Sequence, residues 1–105
     1  MKIKILLVDD HHVVRKGLAL LLNSQDDFEV IGEATNGAEA VQQVKELSPD
    51  IVLMDLVMPV LNGIEATSQI IAYNPKQKIL ILTSFSDQDY AIPVLEAGAS
   101  GYLLK

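Results

Sequence analysis

The chain contains no cysteine, few aromatic residues and no long hydrophobic run, and its basic residues are outnumbered. Without cysteine there is no disulfide framework, no thiolate metal centre and no cysteine nucleophile, which accords with a cytoplasmic setting. With only 5% aromatics, any core must be built from Ile, Leu, Val, Ala and Met. The first apolar run, from Met1 to Leu7, is interrupted by Lys2 and Lys4 and stops at Asp9 and Asp10. It is too short for a signal-peptide core or a membrane span. Neither GxxxxGK[ST] nor GxGxxG occurs, so no glycine-rich nucleotide cradle is expected. Fourteen acidic residues against eight basic give a net charge of -6. That balance is a poor match to a phosphate backbone, and this segment is not expected to bind nucleic acid. Converging carboxylates suit a divalent cation better.

What is present is a rhythm of apolar runs and helical patterns within 105 residues, the size of one domain. Ile3 to Val8 reads as a strand, followed by a helix from about His12 to Leu22. Phe28 to Gly32 is a weak second strand. Asn36 opens the next helix, with Glu39 three residues on as in a capping box, and Pro49 lies beyond its end. Ile51 to Met54 is the third strand. Asn62 and Glu65 repeat the capping pattern for a helix running to about Tyr73. Ile79 to Leu82 is the fourth strand. Asp87 to Ala97 has a helical pattern with Gly98 as its C-terminal cap. Pro93 falls inside that pattern, so the helix is expected to start late, near Ile92, or to be kinked. Tyr102 to Leu104 begins a fifth strand. Strands alternating with helices imply a parallel sheet, and runs apolar at every position imply cover on both faces. The expected fold is α/β, an open doubly wound sheet, whose ligand site lies beyond the carboxyl ends of the strands.

Four of the strands deliver polar residues to that edge: Asp9 and Asp10 from the first, Asp55 from the third, Thr83 and Ser84 from the fourth, Lys105 from the fifth. An Asp at a strand end is by itself an ordinary turn residue. The whole set on one edge suggests a site. Three close carboxylates repel and call for a cation among them. Oxygen-only ligands, without His or Cys, favour Mg²⁺ or Mn²⁺ over zinc. A carboxylate beside such a metal can attack phosphorus, while Thr83 and Lys105 hold the oxygens of the transferred group. His11 and His12 are adjacent on a helix start and do not face one point, so a two-histidine metal site is not expected. Met54 and Met58 read as core filler. Tyr73 and Tyr90 receive no role. Gly37, Gly63 and Gly98 read as turns and caps.

These residues, in this order, resemble the receiver domain of response regulators from Ile3 to Lys105. The similarity is carried by Asp9-Asp10, by Asp55-Leu56-Val57-Met58-Pro59 with Asn62-Gly63, by Thr83-Ser84, and by Gly98-Ala99-Ser100-Gly101-Tyr102-Leu103-Leu104-Lys105. The start, Asp9 to Leu18, is most similar to the NarL/LuxR-type subgroup. The resemblance implies a flavodoxin-like five-stranded sheet in the order 2-1-3-4-5. It implies that Asp55 accepts a phosphoryl group from a sensor histidine kinase. Asp10, Asp55 and the Val57 carbonyl would ligate Mg²⁺, with Asp9 in support. Thr83 and Lys105 would contact the phosphoryl group, and Tyr102 would be a switch residue moving with Thr83. Val57 and Phe85 would border the path of the hydrolytic water, and two apolar side chains there imply slow dephosphorylation. Further implications are a homodimer on phosphorylation and a C-terminal helix-turn-helix domain that binds DNA in the full-length protein. Residues 1–105 are read as a receiver truncated before the family's fifth helix.

Rival functions fit less well. An aspartate-nucleophile phosphohydrolase needs Asp-x-Asp after the first strand, where this chain has adjacent aspartates whose side chains diverge along an extended backbone. A flavodoxin-like cofactor binder needs a hydroxyl- and glycine-rich phosphate loop there, and Asp9-Asp10-His11-His12 would repel phosphate. A receiver-like module that is never phosphorylated would not need the intact set. The expectation is therefore a phosphorylated switch in the cytoplasm, with no membrane partner, rather than an enzyme.

Overall fold

A computed structural model describes residues 2–83 and 89–104. The elements in chain order are β1 (Ile3–Val8), α1 (His12–Asn23), β2 (Phe28–Ala34), α2 (Gly37–Leu47), β3 (Ile51–Asp55), α3 (Gly63–Tyr73), β4 (Lys78–Thr83), α4 (Ala91–Glu96) and β5 (Gly101–Leu104). All strand pairings are parallel. The five strands lie in the order β2-β1-β3-β4-β5, as the resemblance implied.

Side chains alternate across the sheet, and the pairing register assigns each to a face. One face carries Leu6, Val8, Val52, Met54, Ile79 and Ile81, all fully buried. They form the main core with Ala40 and Val44 of α2, Ala66 and Ile70 of α3, and Val94 of α4. Met54 and Met58 belong to this core, as expected of filler. The opposite face carries Ile5, Leu7, Leu53, Leu80, Leu82 and Leu103. Among the described residues α1 is the helix on this side, packed over β2 and β1. Leu53 and Leu80 are consequently only half-buried, and Leu103 is 50% exposed. No helix among the described residues is long and apolar enough to cross a membrane.

The capping residues act as the sequence suggests. Asn36 Oδ1 accepts the Glu39 amide at 2.9 Å, and Glu39 reaches back to the Thr35 amide at 2.9 Å. Asn62 Oδ1 accepts the Glu65 amide at 2.9 Å. The two Asn bonds each satisfy an orphan amide of the first turn, and the Glu39 bond satisfies the Thr35 amide just ahead of the cap. Gly63 begins α3 so close to β3 that an added Cβ would stand 2.7 Å from the Asp55 carbonyl oxygen. Its role is close approach, not a phosphate cradle.

Two elements differ from the sequence reading. β2 runs past Gly32 to Ala34, because a bulge lies between two ladders: Ile5 pairs with Val30, but Leu6 pairs with Gly32. The extra residue, Ile31, breaks the alternation by which a strand is recognised. The described part of the fourth helix is short and begins at Ala91, close to the late start expected from Pro93. Pro93 thereby occupies the first turn, where its missing amide would have had no helical partner. The earlier part of the helical pattern, at Asp87, lies outside the described residues. Gly98 does cap α4, with φ +117°. Its amide donates to Leu95 and that of Ala99 to Val94, the paired bonds of a Schellman motif.

Candidate metal and phosphoryl site

β1 and β3 lie side by side, with Val8 paired to Met54. The residues that follow, Asp9 and Asp55, therefore emerge together at the carboxyl edge of the sheet. Asp9 is fully buried and Asp55 is 4% exposed, whereas Asp10 reaches solvent. Ligand atoms of Asp9, Asp10, Asp55 and His11 all lie within 4.8 Å of one another. This is the convergence expected from the strand ends, with one addition. The His11 ring turns into the carboxylates, its Nδ1 lying 3.1 Å from Asp9, 3.3 Å from Asp10 and 4.0 Å from Asp55.

Local geometry explains the pose. His11 is the extended N-cap residue of α1, and its amide donates to Asp9 Oδ1 at 2.8 Å. That bond folds the loop so that His11 faces the acidic residues. His12 points elsewhere, its Nδ1 lying 3.2 Å from the Arg15 guanidinium. The two histidines diverge as adjacent positions should. The position of the His11 ring was not legible from residue types alone; the signal was its place two residues after a buried Asp, where an Asx-type turn forms readily.

Oxygen donors from three carboxylates fit a small hard cation such as Mg²⁺, which uses few protein carboxylates and retains other positions for water or phosphate. Their mutual repulsion would be relieved by such an ion. Asp55 Oδ1 also accepts the Leu56 amide at 2.8 Å, which fixes the carboxylate's rotation.

Thr83, buried at the end of β4, stands one residue beyond Leu82, the ladder partner of Asp55. Its hydroxyl lies 3.5 Å from the Leu103 carbonyl. Tyr102 pairs with Ile81 and so shares a sheet face with Thr83, with 42% of its surface exposed. Val57 is more than half exposed. It lines a shallow cavity of about 340 Å³ with Leu56, Met58, Asn62, Ile64 and Tyr90. Ser84, Phe85 and Lys105 lie outside the described residues, so the lysine and second-hydroxyl expectations stand as the sequence left them.

One buried cation was not singled out from the sequence. Arg15 of α1 donates from Nη1 to the Asp9 carbonyl at 2.8 Å and from Nε to Glu33 of β2 at 3.0 Å. Glu33 also receives Lys16 at 3.2 Å.

Comparison with known proteins agrees with this geometry. The response regulator receiver domain family matches residues 5–105. The transcriptional regulatory protein LiaR of Bacillus subtilis is 57% identical over 103 residues, covering 98% of this chain and 49% of LiaR. The oxygen regulatory protein NreC of Staphylococcus aureus is 52% identical, covering 97% of this chain and 48% of NreC. The chain thus spans about half the length of these relatives. Among solved structures, a LuxR-family two-component response regulator from Aurantimonas superposes with a TM-score of 0.94 at 41% identity, covering 100% of this chain and 75% of that one. The response regulator domain of Thermotoga maritima CheB gives 0.93 at 36%, covering 100% of this chain and 79% of the other.

Proposed function

The chain belongs to the response regulator receiver family, in its LuxR/NarL branch, and from that premise we propose that it is a phosphorylated switch in which Asp55 is the acceptor. The observation that carries this reading is the convergence of Asp9, Asp10 and Asp55 within 4.8 Å at the carboxyl edge of the sheet. A carboxylate oxygen of Asp55 attacks the phosphorus of a phosphohistidine on a sensor kinase. The P–N bond breaks, an acyl phosphate forms, and the imidazole departs as the leaving group. Asp10, Asp55 and the Val57 carbonyl would hold Mg²⁺, with Asp9 in support; the ion supplies charge neutralisation for the phosphoryl oxygens. The Thr83 hydroxyl and Lys105 orient those oxygens. Thr83 and Tyr102, on one sheet face, form the switch. The remainder of the full-length protein binds DNA, as its relatives' description as transcriptional regulators suggests. Phosphorylation favours a homodimer, and the protein works in the cytoplasm.

The test is incubation with acetyl phosphate and Mg²⁺ followed by intact mass. The wild type should gain one phosphoryl group and Asp55→Asn none. Equal gain by Asp55→Asn would reject the acceptor assignment. No gain by the wild type, with or without its kinase, would favour an unphosphorylated interaction module.

A further inference from the structure

The acidic site places two negative side chains on consecutive residues, Asp9 and Asp10, at the point where β1 gives way to a loop. The peptide joining them determines how both carboxylates are presented. Its carbonyl oxygen belongs to Asp9, and Arg15 grips it at 2.8 Å in a buried bond. The same guanidinium is held from the other side by Glu33 at 3.0 Å. Glu33 is itself fixed: Leu7 is its ladder partner, its backbone carbonyl accepts the Gln43 side chain at 2.8 Å, and its second carboxylate oxygen takes Lys16 at 3.2 Å. The Arg15 side chain is only 10% exposed, so this is a built contact and not a surface ion pair.

We propose that Arg15 is a positioning residue for the cation site: it clamps the Asp9–Asp10 peptide between α1 and β2 and so fixes the direction in which Asp10 presents its carboxylate. The inference rests on the reading of Asp9, Asp10 and Asp55 as a Mg²⁺ site. Three features single out Arg15 from ordinary core support. Its bond is to the one backbone carbonyl between the two acidic residues. Its fork spans two partners, the Asp9 carbonyl just after β1 and Glu33 of β2, which a single-point donor cannot do. Its Nη2 also stands 3.2 Å from His12 Nδ1, so the guanidinium is fixed on the α1 side as well. Outer partners that orient ligands commonly change metal affinity about 10–100-fold when removed.

Mg²⁺ binding by the purified full-length protein, read by titration calorimetry, tests this alongside thermal unfolding in the absence of metal. Arg15→Ala should weaken Mg²⁺ by about tenfold or more. Its phosphorylation by acetyl phosphate should return towards the wild-type rate at saturating Mg²⁺. Val44→Ala, a core change remote from the loop, is the control: it lowers the melting temperature and leaves the Mg²⁺ affinity within twofold. If Arg15→Ala also stays within twofold, Arg15 is merely structural and the proposal is overturned. If it does not fold, Arg15→Lys decides: the charge is kept but the fork is lost. A threefold or larger weakening at an unchanged melting temperature supports the clamp, and a wild-type affinity rejects it. A wild type that binds no Mg²⁺ by calorimetry removes the underlying site and the proposal together, an outcome distinct from a failure of the Arg15 variants alone.

Discussion

His11 sits where a cation would be attracted, between Asp9, Asp10 and Asp55, yet 64% of its side chain is exposed. Its Nδ1 stands 3.1–4.0 Å from all three carboxylates. It is better placed as a competitor for the carboxylates than as a ligand with them, since Mg²⁺ prefers oxygen. His11→Ala is therefore expected to bind Mg²⁺ at least as tightly as the wild type in a calorimetric titration. A tenfold loss would make His11 a ligand and would revise the donor set. At this scale the sequence was informative about which carboxylates meet, because strand ends in a parallel sheet share one edge. It was silent on Arg15, because that contact depends on how α1 docks against β2, and nothing local to Asp9-Asp10 specifies a partner one helical turn and one strand away.

At the level of elements, Asn36, Asn62, Pro93 and Gly98 each punctuate a helix by a local mechanism, and each was readable without the fold. The extent of β2 was not, since its ladder is set by β1 and contains an extra residue. Gly98 offers the sharpest test of local punctuation. Its φ of +117° is costly for any residue with a Cβ, and an added Cβ would also stand 2.8 Å from Ile71 of α3. Gly98→Ala should destabilise the domain by at least about 1–2 kcal/mol, measured by chemical denaturation. Because Gly98 leads through Ala99 into β5, the loss should be accompanied by faster hydrogen exchange in Tyr102 and Leu103. Unchanged stability would mean that this loop relaxes and that the Schellman bonds are dispensable.

The molecule as a whole is unevenly covered. Three helices seal one face of the sheet, whereas Leu53, Leu80 and Leu103 on the other keep contact with water among the described residues. A large aliphatic side chain left in water forgoes roughly 1.5–3 kcal/mol of burial. A contiguous strip of such residues also favours association. The 105-residue chain taken alone is therefore expected to self-associate, with a sedimentation coefficient that rises with concentration. Leu103→Lys should reduce that association. A monomer at every concentration would show that α1 covers this face sufficiently. Cation binding offers a second whole-molecule effect: Mg²⁺ at the acidic site should raise the melting temperature by mass action, and Asp10→Ala should abolish most of the rise. No shift in the wild type at millimolar Mg²⁺ would count against the site.

The bulge at Ile31 gives β2 a length tolerance that its neighbours lack. Upstream of it the ladder pairs Ile5 with Val30, and downstream it pairs Leu6 with Gly32. Removing Ile31 would join two segments that are already in step with β1, leaving Glu33 opposite Leu7 and within reach of Arg15. Removing Gly32 instead would bring Ile31 opposite Leu6, where a Cβ would stand 2.6 Å from Leu47 Cδ1 and 2.8 Å from Gln43 Oε1, so those side-chain tips would have to move. The strand thus holds one residue of slack at a single position. A chain lacking Ile31 should keep its fold by circular dichroism and retain Mg²⁺ binding, while a chain lacking Gly32 should have the lower melting temperature of the two. If the two deletions behave alike, the register of β2 is set by the turns that flank it and not by its pairing with β1.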